Sequence, residues 1–173
     1  MNAHELADKF RMLSRSEVDL LQKCAKMLEP NPFIVNIGAN IGTGSIAMLE
    51  ARPDDAYIIS IDKLPCPLEI DNIILAGLDP TRCIRVLTTS QKAGKFFPVL
   101  VDMVFVDGDH TERGVMRDIL VWKPKLKDGG IMVFHDYHHP NLPKYSPIVD
   151  SMMADCKVIG EARYMIAFRV DNG

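Results

Sequence analysis

The sequence predicts an α/β fold: a doubly wound, mostly parallel seven-stranded sheet with an antiparallel edge strand and helices on both faces. Three observations carry that expectation. Short apolar runs alternate with helical segments, a pattern that builds a parallel sheet covered on both sides. The run Phe33 to Ile37 passes straight into a loop with Gly38, Gly42 and Gly44, and a helical stretch follows from Ser45. A buried strand thus turns through glycines into a helix N-terminus, where backbone N–H groups face a ligand. The chain closes with two apolar runs, 156–160 and 164–170, spaced to pair as a hairpin.

Composition is consistent with one domain over 1–173, with N-terminal helices in 1–30 and the sheet in 31–173. A chain of 173 residues can bury a real core, and its 47% hydrophobic and 25% charged content is that of a globular protein. The net charge of −3 comes without a basic patch, so nucleic acid is not an expected partner. The first ten residues, MNAHELADKF, are charged and do not read as a signal peptide. No run approaches the roughly 18 apolar residues that would cross a bilayer, so no membrane partner is expected. The four cysteines (Cys24, Cys66, Cys83, Cys156) are scattered without a CxxC pair. That favours a reducing, cytoplasmic setting over a disulfide framework or a zinc ribbon.

Taken in order, residues 3–13 read as a short helix, and Ser14-Arg-Ser-Glu17 is a capping box that starts a second. On it Val18, Leu21, Ala25 and Leu28 share one face, and Pro30 and Pro32 stop it. After the glycine loop and its helix, Tyr57 to Asp62 is a second buried strand ending in an acid. An acid there accepts hydrogen bonds from ribose hydroxyls in sheets of this kind. A helix over 65–77 follows, then a strand from Cys83 ending at Thr89-Ser90-Gln91, and a short helix over 91–97. Val99 to Asp107 is the most apolar strand and stops abruptly in Asp107-Gly108-Asp109-His110. A helix over 111–124 leads to Lys127-Asp-Gly-Gly130, read as a tight turn before the strand Ile131 to Phe134. That strand ends in His135-Asp-Tyr-His-His139, and a short helix is expected near 148–154. In such sheets ligands sit beyond the carboxyl ends of the strands, so four polar clusters should converge on one rim. These are Gly38-Ala39-Asn40, Asp62-Lys63, Asp107 to His110, and His135-Asp136.

Together FVDGDH (105–110), LKDGG (126–130) and FHDY (134–137) resemble the Rossmann-like class I S-adenosylmethionine (SAM)-dependent methyltransferases. The similarity covers roughly 14–170 and is nearest to a small DGDH/HDY group akin to macrocin-type O-methyltransferases. The resemblance implies a SAM site of Asn36, Gly38, Ala39, Asn40, Gly42, Ser45, Asp62, Lys63, Ser90, Gln91, Asp107, Gly108 and His110. Asp62 would hold the ribose, Ser90 and Gln91 the adenine, and Asp107 to His110 would flank the sulfonium. The family has an acid where this chain has Asn36, which helps hold the methionine ammonium. The implied reaction is O-methylation of a small hydroxylated molecule, with Asp107, His110 and His135 as catalytic candidates.

Methyl transfer needs a nucleophile in line with the sulfonium and a group to take its proton. Related metal-dependent enzymes hold magnesium through acids after the fourth and fifth strands, and Asp107, His135 and Asp136 stand at those positions. Histidine suits a softer ion, so manganese stands beside magnesium as a candidate. The metal-free rival uses His110 or His135 as general base. Asp109 reads equally as a helix cap, and His138 and His139 as surface residues. Lys144 and Tyr145 lie in a loop positioned to cover the acceptor. Acceptor choice is expected in 1–15 and 137–147, and a homodimer through the N-terminal helices is a further expectation. A short-chain dehydrogenase shares the glycine spacing, but no Tyr here has Lys four residues on. The remaining alternative is a non-catalytic SAM-binding domain acting as partner or regulator.

Overall fold

Two helices, α1 (Ala3–Phe10) and α2 (Arg15–Lys26), precede the first strand, β1 (Phe33–Ile37). Strands and helices then alternate: α3 (Thr43–Ala51), β2 (Tyr57–Asp62), α4 (Pro67–Leu75), β3 (Cys83–Leu87), α5 (Ser90–Phe96), β4 (Val101–Val106) and α6 (Glu112–Trp122). The chain continues through β5 (Leu126–Phe134), α7 (Tyr145–Met152), β6 (Lys157–Ala162) and β7 (Met165–Val170). These elements come from a computed structural model, which describes residues 1–171.

The seven strands form one sheet in the order β3-β2-β1-β4-β5-β7-β6. Strands β1 to β5 run parallel, and β7 runs against β5 and β6. The closing pair β7 and β6 forms the antiparallel edge of the sheet, as expected, with β6 outermost. The order reverses between β1 and β4, and a crevice opens at such a switch point beyond the strand ends.

Alternation along each strand sends side chains to two cores. Ile34, Ile58, Met103, Phe105 and Val133 face α1, α2 and α3, where Val18, Leu21 and Ala25 of α2 are buried. Val35, Ile59, Val104, Met132 and Phe134 face the opposite layer, where Trp122, Ile119 and Val149 lie. Both faces are thus dry, which explains why β4 reads as a continuous apolar run.

Two elements differ from expectation. Residues 127–130 are not a turn but part of β5, where the pairing with β4 slips between Val101 and Met103. Gly129, at φ +72°, supplies a left-handed step that lets the strand continue past the irregularity. The last helix begins at Tyr145 rather than near 148, because Tyr145 and Ser146 are themselves buried.

Candidate active site

The glycine loop is shaped by close backbone contacts. Gly38, at φ +94°, sits where a Cβ would overlap the carbonyl oxygen of Asp107, so β1 and β4 leave the sheet side by side. The Asp107 N–H donates to the Ile37 carbonyl (2.9 Å) and the Gly38 N–H to the Ile61 carbonyl (2.9 Å). Asp62 completes the turn: one carboxylate oxygen accepts the Ala39 N–H (3.0 Å), the other the Leu64 N–H (2.9 Å). A cleft of about 1060 Å³ opens above these strand ends. That volume suits a cofactor together with part of an acceptor.

Most of the sequence-derived SAM residues line this cleft: Gly38, Ala39, Asn40, Asp62, Lys63, Ser90, Gln91, Asp107, Gly108 and His110. Asn36, Gly42 and Ser45 do not. Asn36 and Ser45 are buried beneath the loop, where the Asn36 side-chain amide donates to Ser45 Oγ (2.8 Å). Gly42 turns the chain into α3 at φ +90° and packs against Glu69. At the far end of the cleft the Gln91 amide donates to Asp118 (2.6 Å), and the Trp122 indole N–H donates to Ser90 Oγ (2.8 Å). Asp118 is buried, and that burial pushes its carboxyl up to about 6. No sequence signal singled it out, since it reads as one polar residue on a helix.

The ends of β4 and β5 bring four ionisable groups together. His110 Nδ1 pairs with Asp136 Oδ2. His135 Nδ1 lies 3.0 Å from Asp107 Oδ1 and 3.5 Å from Asp136 Oδ2. On its other side, His135 Nε2 is 3.5 Å from Glu17 Oε1. Glu17 was expected only to cap α2. It does so, accepting the Ser14 N–H (2.6 Å), but it is buried and also accepts the Tyr164 N–H (3.1 Å). Asp136 occupies left-handed backbone at φ +61°, which aims its carboxylate back at both histidines.

The charges follow from this packing. Burial disfavours the His135 cation, but Asp107, Asp136 and Glu17 outweigh it and hold the ring protonated, pushed up to about 12. Burial likewise opposes the Asp136 and Glu17 anions, yet the histidines beside them hold both below the usual carboxylate range. Asp107 moves the other way, raised because burial dominates. The Asp136 hydrogen bond raises His110, whose ring is half-exposed at the cleft. A His135 held protonated among three carboxylates is not placed to take a proton, whereas the His110 ring opens on the cleft.

Asp107, His110 and Asp136 each place one ligand atom within 4.8 Å of the others and could hold a metal ion, a group that shares Asp107 and Asp136 with the expected Asp107, His135 and Asp136. Two oxygens and one imidazole nitrogen suit manganese, iron or zinc better than magnesium.

Asp109 accepts the Thr111 N–H (3.1 Å) while lining the cleft, so it serves the start of α6 as well as the rim. His138 is exposed and stacks on Tyr137, whereas His139 lines the cleft beside Asn141 and Leu142. Lys144 does not reach it: it pairs with Glu112 on the surface (3.2 Å), and Tyr145 is buried in α7. Met12 and Leu13, between α1 and α2, also line the cleft. No helix among the described residues is long and apolar enough to cross a membrane.

Comparisons with known proteins agree with this fold. A family model described as a methyltransferase domain matches residues 35–137, more than half of the chain. An uncharacterised protein of Acanthamoeba polyphaga mimivirus is 25% identical over 148 residues, 79% of this chain and 66% of that protein. This chain therefore spans slightly less than two thirds of that relative. A candidate caffeoyl-CoA O-methyltransferase from Staphylococcus aureus superposes with a TM-score of 0.79 at 14% identity, over 99% of this chain and 93% of its own. A candidate methyltransferase from Streptococcus mutans, solved with S-adenosylhomocysteine, gives 0.69 at 10% identity, over 91% and 98%. At such identities the structures speak for the fold and the family match for the descent: the chain belongs to the methyltransferase-domain family and has the fold of the class I SAM-dependent enzymes.

Proposed function

We propose that this protein methylates a hydroxyl of a small acceptor, with SAM as methyl donor and His110 as the base. The observation that carries the reading is the Asp136–His110 pair, buried at the carboxylate and open at the imidazole, beside the β1–β4 switch point. SAM supplies an electrophilic methyl on a sulfonium, so the chain needs only to position two reactants and move one proton.

The cleft fits that donor. Side-chain-free Gly38 lets the backbone approach, Asp62 keeps an oxygen at the end of β2, and Ser90 and Gln91 offer polar groups beyond it. Asp136 orients the His110 ring and stabilises the imidazolium that forms once the acceptor proton is taken. His135 stays cationic against Asp107 and keeps that partly buried carboxylate from standing unpaired. Met12, Leu13, Asn141 and Leu142 give the acceptor side a mixed apolar and amide lining, which suits a small, uncharged hydroxylated molecule.

A second reading rests on the convergence of Asp107, His110 and Asp136. A divalent ion held there would bind the acceptor oxygen and lower its pKa. It would compete with the His135 cation for both carboxylates.

The test is a melting titration with S-adenosylhomocysteine, with and without manganese or magnesium, and with chelator. Ligand at about 100 times its dissociation constant stabilises by about 2.7 kcal/mol, on the order of 5–10 °C for a domain of this size. That shift with chelator present supports SAM and the base mechanism. A further shift that needs metal supports the second reading. No shift with any ligand overturns the enzyme reading in favour of a non-catalytic domain.

A further inference from the structure

Beneath the glycine loop, on the face away from the histidines, lies a buried carboxylate that the reaction above does not use. Glu69, on the first turn of α4, has no solvent exposure. Its Oε1 accepts two hydroxyls, Ser45 Oγ (2.7 Å) and Ser60 Oγ (2.7 Å). Its Oε2 is buried with no hydrogen-bond partner. No cation among the described residues pairs with it. The thiol of Cys83 nearby is neutral, pushed up to about 12 by burial and by this carboxylate. A buried carboxylate held only by neutral donors, two hydroxyls and the Cys83 thiol, is costly, and such groups are ordinarily matched by a positive charge.

The network reaches the loop in three ways. Glu69 Cγ would lie 3.0 Å from a Cβ at Gly42, so only glycine fits there. Asn72, one turn along α4, donates to the Ile41 carbonyl (2.9 Å). Ser45, which donates to Glu69, accepts the Asn36 amide (2.8 Å). That last bond fixes which way the Asn36 amide points, because Ser45 has spent its proton on the carboxylate and can only accept. The Asn36 carbonyl oxygen is left buried and unpartnered. It lies 3.6 Å from where Gly44 would carry a side chain, and Gly44 lines the cleft.

We infer that Glu69 is a positioning residue for a cationic amino-acid tail: through Ser45 it turns the Asn36 carbonyl oxygen toward the cleft, and its buried charge favours the ammonium bound there. This rests on the SAM reading and specifies which end of the cofactor the loop recognises. The adenosine end depends on Asp62, Ser90 and Gln91 and not on this network.

Two probes separate the ends: S-adenosylhomocysteine, which carries the ammonium, and 5′-methylthioadenosine, which lacks the whole tail. Binding of each is measured by calorimetry to the intact protein and to Glu69→Gln. The expected result is about a tenfold or greater loss for S-adenosylhomocysteine, with methylthioadenosine changed less than about twofold. Equal losses for both would reduce Glu69 to a structural prop and overturn the inference, as would no loss for either. Should Glu69→Gln not fold, N36D/E69Q decides, because it returns one carboxylate to the same network. It is expected to regain the preference for the tailed ligand, and if it folds without that preference the inference fails. Were the unaltered protein to bind neither probe, the SAM reading itself would be at fault.

Discussion

The two halves of the cleft are built on different principles. Around β1, β2 and α3 the donors are neutral, backbone N–H groups, hydroxyls and an amide, and the carboxyl oxygens of Glu69 and Asp62 accept from them. Around β4 and β5 the contacts are between full charges, two histidines among three carboxylates. The first half is a mould, in which shape and a few acceptors select a ligand that need not react with the protein. The second is a proton-handling site, where burial and opposite charges pull neighbouring groups apart in protonation. Binding and turnover should therefore fail separately when one half is altered.

The largest expected effect is Asp107→Asn. It removes the carboxylate facing His135 at the end of β4, leaves that cation without its nearest partner, and should lower turnover by about 10²-fold. S-adenosylhomocysteine affinity, measured by calorimetry, should change far less. A variant that bound poorly yet turned over normally at saturating cofactor would erase the distinction between the halves.

Glu17→Gln tests the one support that the charged half draws from outside the sheet. The substitution keeps an acceptor for the Tyr164 N–H but leaves His135 with two carboxylates instead of three. About 1–2 kcal/mol should be lost, near 2–8 °C in melting temperature. Glu17 is depressed in the fold, so its stabilisation is present above the unfolded glutamate value of about 4.3. It is lost as pH falls through the lower folded value. The gap between the two proteins should accordingly hold near neutrality and close in acid. A gap that persisted unchanged in acid would mean that Glu17 acts by packing alone.

These two substitutions also mark what the sequence discloses. Asp107 is legible because a run of buried residues ending in an acid is costly without a purpose. The glycine loop and Asp62 are legible because their spacing is local: strand, turn, helix, strand. Glu17 is not, since a capping box explains it fully, and its contacts with His135 and Tyr164 span more than a hundred residues of chain. Glu69 and Asp118 are hidden for a similar reason, as each reads as an ordinary polar residue of an amphipathic helix until the sheet turns it inward. The choice between His110 and His135 lay beyond residue type altogether, because it depends on which ring faces solvent and which faces three carboxylates. Where the sequence misled, at Lys127 to Gly130, two adjacent glycines looked like a turn and serve instead to carry β5 through a slip in register.

The smallest effect is the most diagnostic of the charged half. His110 lies above its ordinary value of about 6.5 because Asp136 accepts its hydrogen bond and favours the charged ring. A base must be neutral to act, so kcat/KM should rise with pH through a midpoint above 6.5 and then level off. Asp136→Asn removes the charge that stabilises the imidazolium, so the midpoint should move down toward 6.5. The plateau should fall too, because the ring loses its orienting partner. Rates across pH for the two proteins, each measured with chelator, decide the matter. A midpoint that stays put when Asp136 is changed would take the proton transfer away from His110. Activity that disappears in chelator and returns with manganese would give Asp107, His110 and Asp136 to a metal ion, and the cationic His135 would then be the group displaced from between the two carboxylates.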